Sequence, residues 1–338
     1  MIGVVKASWI LLLGGVPGLA AGVSVERRAE ALDGLIAPGA VVETLATGFQ
    51  WAEGPVWDAA GGRLLFSDVP RNTVYQWPAG DPAAPEAPGA SVFMRPAGFT
   101  GVADGGREPG SNGLAFDAAG RLLCCEHGDR RVSLLTAGGG KLTLADQFEG
   151  KRLNSPNDLA VHSSGAVYFT DPTYGLPQGD RDPRRELPFC GVFRVTPQRA
   201  VTLLVRDLER PNGIAFSPDE KTLYVAQSHP PMPVIMAYPV KPDGTLGTGR
   251  VFFDAKPLAG EGPGLPDGLK VARSGHLFAT GPGGVLVIDP RGKLLGRVVT
   301  GRATANVALG GADGRQLFIT AGDRLLRVPL AAGVTKRG

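Results

Sequence analysis

One pattern recurs six times along this 338-residue chain. Each copy has a polar marker residue, usually followed by Gly, then an apolar–Ala–apolar stretch, a short turn, and a second apolar run. The copies are AEGPVWDAAGGRLLFSD from Ala52, SNGLAFDAAGRLLCCE from Ser111, SPNDLAVHSSGAVYFTD from Ser155, RPNGIAFSPDEKTLYVAQS from Arg210, LPDGLKVARSGHLFAT from Leu265 and TANVALGGADGRQLFIT from Thr304. The markers are Glu53, Asn112, Asn157, Asn212, Asp267 and Asn306, spaced 39 to 59 residues apart. Two alternating apolar runs joined by a turn of Asp, Ser and Gly form a β-hairpin signature. More short strand-like runs lie between the copies, around Tyr75 and from Arg131, Gly191, Val234 and Val285. Four short strands per copy is the content of one propeller blade, which cannot bury its faces alone and must stack on neighbours. The sequence therefore predicts an all-β, six-bladed β-propeller around a central channel. A β-sandwich leaves the regular return of one polar residue unexplained.

Composition supports this and removes other classes. With Gly 50 and Pro 29, nearly every window long enough for an amphipathic helix is interrupted. At 43% hydrophobic and 20% charged residues, disorder is excluded as well. The net charge of +3, without a basic run, argues against a nucleic-acid partner held through phosphates. Cys124, Cys125 and Cys190 form neither a paired framework nor a CxxC zinc site, and read as buried free thiols.

The amino terminus reads differently. Trp9 to Val16 is WILLLGGV, with Lys6 before it and Gly18, Ala20 and Ala21 after it. This resembles a short secretory apolar segment with a small-residue cleavage site, too short to span a bilayer. Residues 1–38 are thus expected to be a leader, a signal peptide followed by a flexible segment. A periplasmic or secreted protein follows from that reading, with the cytoplasm as the alternative. Residues 39–338 are expected to form the propeller, with Val41 to Leu45 supplying a strand that closes the last blade. No other apolar run is long enough to cross a membrane, and the sequence leaves the oligomeric state open.

In a ring, the six markers converge at one end of the axis. Asn and Asp often cap turns there, and that reading suits Asn306 and Asn112, the latter also a candidate for substrate contact. Glu53 and Asp267 add two carboxylates to the amide oxygens of Asn157 and Asn212. Such a set is poorly hydrated and self-repelling unless a cation sits among it. Its hard oxygen atoms suit Ca²⁺, Mg²⁺ or Mn²⁺, with zinc left open.

The segments AEGPVW, RLNSPNDLAVHSSGAVYFTDPTYG, RPNGIAFSPDEKTLYV and LPDGLKV resemble the senescence-marker-protein/gluconolactonase/luciferin-regenerating-enzyme family, in its bacterial gluconolactonase-like branch. The match runs from about Val41 to Val328. The resemblance implies a lactone-hydrolysing propeller with one divalent cation in the channel, calcium first among the candidates. It implies Glu53, Asn212 and Asp267 as metal ligands, Asn157 as a metal or substrate contact, and Asp267 as general base. Where the animal branch has a substrate-binding arginine two residues before the Asn, this chain has Ser155, and nearby Arg152 is not a motif match.

The expected reaction is hydrolysis of a small sugar lactone, with the carbonyl polarised by metal and a carboxylate assisting water. No GxSxG elbow and no HExxH helix offers another route. Further expected substrate contacts are His127, Asp171 and Tyr174, with Glu126 and Thr173 beside them. The segment 175–188, rich in Asp and Arg, reads as a solvated lid or rim. His162, His229 and His276 receive no role. The rivals are a metal-dependent aryl-ester or organophosphate hydrolase on the same scaffold, and a non-catalytic ligand-binding propeller.

Overall fold

The computed structural model describes residues 22–78, 89–102 and 105–334. The expected signal peptide lies outside the described residues. Among those described, six antiparallel sheets of four or five strands follow one another around a ring. The first blade contains Ala52–Asp58, Arg63–Asp68, Thr73–Pro78 and Ser91–Met94. The second contains Ser111–Phe116, Leu122–Glu126, Arg131–Leu135 and Lys141–Ala145. The inner strands of the other blades are Leu159–Val161, Pro211–Phe216, Leu269–Val271 and Asn306–Gly310. Each inner strand contacts the next around the ring, and the sixth contacts the first. That closure makes the propeller.

The strands hold the ring because both faces of each blade are buried. In Arg63–Asp68, Leu64 and Phe66 pack toward the sixth blade while Leu65 packs toward the second. In the fifth blade, Val285 and Val287 face one neighbour and Leu286 and Ile288 the other. Period-two alternation thus feeds two interfaces, and the strands read as continuous apolar runs. Each fully buried aliphatic side chain contributes roughly 1.5–3 kcal/mol. The same alternation sends Cys124 to one interface and Cys125 to the other, and all three cysteines are free and buried. Burial pushes the Cys124 thiol up to about 12.

The last blade closes as expected. Glu43–Thr47 pairs with Arg324–Pro329, so strands from both ends of the propeller share one sheet. The expectation that all of residues 1–38 stand apart from the ring needs correction. Ser24–Arg27 pairs with Leu294–Val299 as a fifth strand covering the outer edge of the fifth blade. A 3₁₀ turn, Glu30–Gly34, then places Leu32, Leu35 and Ile36 in the core between the fifth and sixth blades. Arg297 Nε donates to Glu26 across this pairing at 3.1 Å. The added strand caps an otherwise open sheet edge. Among the described residues, no helix is long and apolar enough to cross a membrane.

Candidate metal centre

The markers are aimed by local breaks in strand pairing. The register slips between Glu53 and Val56, between Ser111 and Leu114, and between Pro211 and Ile214. A bulge at these points re-aims the marker side chain out of the alternating pattern. In the third and fifth blades the paired strand starts two residues beyond the marker, at Leu159 and Leu269. Gly54 permits this packing twice over. It sits at φ 48°, and a Cβ there would overlap the carbonyl oxygen of Asn112. Gly113 N in turn donates to the Asn157 carbonyl at 2.7 Å, and Gly268 N to Ala305 at 2.7 Å. The inner strands therefore crowd together at the end of the channel that carries the markers.

Burial and charge are concentrated there. Glu53 is 2% exposed. One of its oxygens accepts from Gly54 N at 2.8 Å, and the Asn306 amide also bonds to it. Burial, aided by the neighbouring Asp158 and Glu108 carboxylates, pushes its carboxyl up to about 8. Asp267 is raised well above the usual carboxylate range, by burial first and then by Glu53, Asp158 and Glu108, against the opposing bond from Asn212. Two acids far apart in the chain thus feel each other directly. Asp267 Oδ1 and Asn112 Oδ1 are buried without a hydrogen-bond partner. Unsatisfied buried oxygens are costly, and a cation is a group that would satisfy them.

Among the described residues, no group of three or more His, Cys, Asp or Glu side chains is arranged to hold a metal ion. Two carboxylates with amide oxygens make a different kind of site, one suited to a hard ion. Asn212 Nδ2 donates to Ser228 Oγ at 2.9 Å, and the same amide also bonds to Asp267 and Tyr174. By donor chemistry the carboxylates of Glu53 and Asp267 and the Asn212 amide oxygen suit a hard divalent cation, and Asn157 is buried at the corresponding place in the third blade.

Among the other expected residues, Tyr174 is brought in. Its hydroxyl bonds to Ser228 and Asn212, it lies within electrostatic reach of Asp267, and Arg210 stands 5.8 Å from its ring centroid. Ser155 supports the Tyr174 turn, donating to Pro172 O at 2.6 Å and accepting from Gly175 N at 3.0 Å. His127 is fully buried, with Nε2 3.5 Å from Asn112 Nδ2. Burial pushes His127 down to about 4, so it is neutral at physiological pH.

Asp171 differs from expectation. Its carboxylate oxygens accept from Asn154 N at 2.7 Å and Ser155 N at 2.8 Å, with no exposure to solvent. It anchors the backbone before Asn157 and does not offer itself to substrate. Glu126 is likewise corrected. It is buried against Arg131, Lys141 and Ser133 within its own blade. Arg152 is exposed and donates to Asp129 O at 2.6 Å. Thr173 Oγ1 donates to Asp180 at 2.7 Å, tying the rim segment to the Tyr174 turn.

Sequence reasoning missed Glu108, Asp158 and Ser228. Glu108 comes from a loop without pattern, and its Oε2 lies 4.0 Å from His127 Nδ1. Asp158 carried a readable signal, since it stands where four other copies have Gly. A cavity of about 1070 Å³ opens at the other end of the inner strands, lined by Val56, Phe116, Val161, Phe216, Val271 and Leu309. It is apart from the marker end.

Residues 51–323 match the family model for the SMP-30/gluconolactonase/LRE-like region. The chain belongs to that family. Among relatives, it is 38% identical over 305 residues to a gluconolactonase of Zymomonas mobilis, covering 88% of this chain and 83% of the other. It is 28% identical over 289 residues to the pentonolactonase XacC of Haloferax volcanii, covering 83% and 84% of the two chains. A solved gluconolactonase of Xanthomonas campestris superposes with a TM-score of 0.77 at 34% identity, covering 90% of this chain and 94% of that one. A calcium-binding regucalcin of Agrobacterium tumefaciens, at 20% identity and a TM-score of 0.67, shares the fold, covering 88% and 96%. The six-bladed family architecture expected from the repeats is thereby established.

Proposed function

We propose that this family member hydrolyses a sugar lactone with the help of one divalent cation held by Glu53, Asn157, Asn212 and Asp267. The lactonase reading draws on the gluconolactonase and pentonolactonase relatives. The metal reading rests on one observation above all: Asp267 is buried beside the Glu53 carboxyl and among amides, and one of its oxygens has no partner. Calcium is the first candidate for a site of hard oxygens.

Such a cation supplies electrophilic activation of the lactone carbonyl. The chain's own groups do the rest. Asp267, with its unpartnered oxygen, holds the attacking water and takes its proton. Asn112 and Tyr174 border the same end of the channel and present polar groups to the sugar hydroxyls, with His127 buried beside Asn112. Neutral His127 can accept or donate without adding charge to the site. Arg210 and Asp180 hold the rim segment beside Tyr174 through bonds of 2.9 Å and shorter range to the same carboxylate.

The test is pH-indicator hydrolysis of a panel containing glucono-1,5-lactone, a pentonolactone, an aryl ester and an organophosphate. Turnover is expected on the lactones, with Asp267→Asn lowering kcat by about 10²–10⁴-fold while the protein stays folded. Full activity of Asp267→Asn rejects the base. Preference for the aryl ester or organophosphate rejects the lactonase reading.

A further inference from the structure

Asp158 stands in the third copy where Gly54, Gly113, Gly213 and Gly268 stand in others. Its carboxylate is 2% exposed. Oδ1 accepts from Leu159 N at 2.9 Å. Oδ2 accepts from Asn306 Nδ2 at 3.3 Å, across the channel in the blade opposite. The same Oδ2 lies 3.9 Å from Lys270 Nζ, which comes from the fifth blade.

Asn306 is fully committed by these contacts. Its side-chain oxygen accepts from Val307 N at 2.9 Å, and its amide serves both Asp158 and Glu53. Because the oxygen is taken by a backbone N–H, the amide cannot flip without leaving two acids facing an acceptor. The orientation of Asn306, and through it that of Glu53, therefore depends on Asp158. Lys270 also lines the 1070 Å³ cavity at the opposite end of the channel, and its ammonium donates to Leu269 O at 3.1 Å while standing beside Asp158. Without a cation there, Asp158 would be a third uncompensated acid beside Glu53 and Asp267.

We propose that Asp158 and Lys270 form a pair in which Asp158 orients Asn306 on Glu53 while Lys270 supplies an opposing positive charge beside Asp158, the two together setting the cage's affinity for a divalent ion. The proposal rests on the cage reading above. Neither residue touches the ion or the substrate.

The two halves of the pair act on cation binding with opposite sign. Asp158→Asn removes a negative charge and turns an amide toward the Asn306 amide, so binding weakens. Lys270→Met removes a positive charge beside Asp158, so binding tightens. Calcium affinity is measured by competition against a chelator dye on the full chain, with thermal melting as the control for folding. The expected shifts are about tenfold weaker for Asp158→Asn and severalfold tighter for Lys270→Met, within the range for residues coupled in one network. General loosening of the fold would weaken both variants. If Lys270→Met does not fold, Lys270→Gln reads the same charge change. Unchanged affinity in either variant, or shifts of the same sign, overturns the positioning pair while leaving the cage intact. Failure of the wild type to bind calcium or any other divalent ion overturns the cage, and the pair with it.

Discussion

Ser228 Oγ accepts from the Asn212 side-chain amide at 2.9 Å and donates to the carbonyl of Pro266 at 2.6 Å. One hydroxyl on the second strand of the fourth blade thereby sets two markers in adjacent blades, Asn212 directly and Asp267 through the residue before it. Ser228→Ala leaves the buried Pro266 carbonyl without this donor and takes one partner from the Asn212 amide, at a cost of about 1–3 kcal/mol. Both a lower melting temperature and weaker divalent-ion binding are expected, the second readable by titration calorimetry. Unchanged ion affinity would show that Ser228 serves the fold alone.

The crowding of inner strands predicts a sharper stability effect at Gly54. Alanine there must adopt φ 48° and place its Cβ on the Asn112 carbonyl. Gly54→Ala is expected to destabilise by several kcal/mol, at or above the ~1–3 kcal/mol of backbone strain alone. Chemical denaturation measures this. Gly62, at φ 61° with open space around it, is the control, expected to lose only the smaller strain cost.

Burial of the acids predicts how pH acts on the ion-free protein. Glu53 keeps its proton up to about pH 8 in the fold, and Asp267 is shifted in the same direction. The unfolded chain releases both in the ordinary carboxylate range. Between the two limits the folded state binds more protons, so stability falls as pH rises. His127, pushed down to about 4 from 6.5, has the opposite effect but only below its ordinary value. Asp171, held up to about 7, adds a slope of the first sign that no ion touches. Above pH 7 the Glu53 and Asp267 contribution dominates, so the melting temperature of chelator-treated protein should drop toward pH 8. Saturating calcium should flatten that slope. A slope of the same size with and without calcium would separate these acids from the ion.

The rim segment gives a prediction about substrate rather than metal. Arg210 Nη1 donates to Thr173 at 2.7 Å and to Asp180 at 2.9 Å, beside Tyr174. Arg210→Ala frees the segment and is expected to raise KM about tenfold with a smaller change in kcat, the pattern of lost substrate positioning. Steady-state kinetics on a lactone read this directly. An equal fall in kcat and kcat/KM would place Arg210 in the chemical step instead.

The ring was legible because the marker, the hairpin turn and the apolar pairs recur together, and only a closed stack of blades buries both faces of strands such as Val285 to Ile288. Convergence of Glu53 and Asp267 followed from that geometry. What stayed hidden depends on single contacts. Ser24–Arg27 is a short, half-exposed strand whose partner lies some 270 residues away, and no local pattern announces the pairing. Asp171 ends its strand in the same way a substrate-facing acid would, but the fold brings the backbone N–H groups of Asn154 and Ser155 onto its two oxygens. Asp158 could have been read as a departure from the repeat, because a carboxylate in a glycine position needs partners across the channel. Glu108 could not, since its loop carries no period.

Activity is proposed to require an ion among Glu53, Asn157, Asn212 and Asp267. The most direct measurement is lactone hydrolysis followed through chelation and metal return on one sample. Activity should disappear with chelator, return on adding calcium or another hard divalent ion, and fail to return in Asp267→Asn. Full turnover persisting after exhaustive chelation would contradict it.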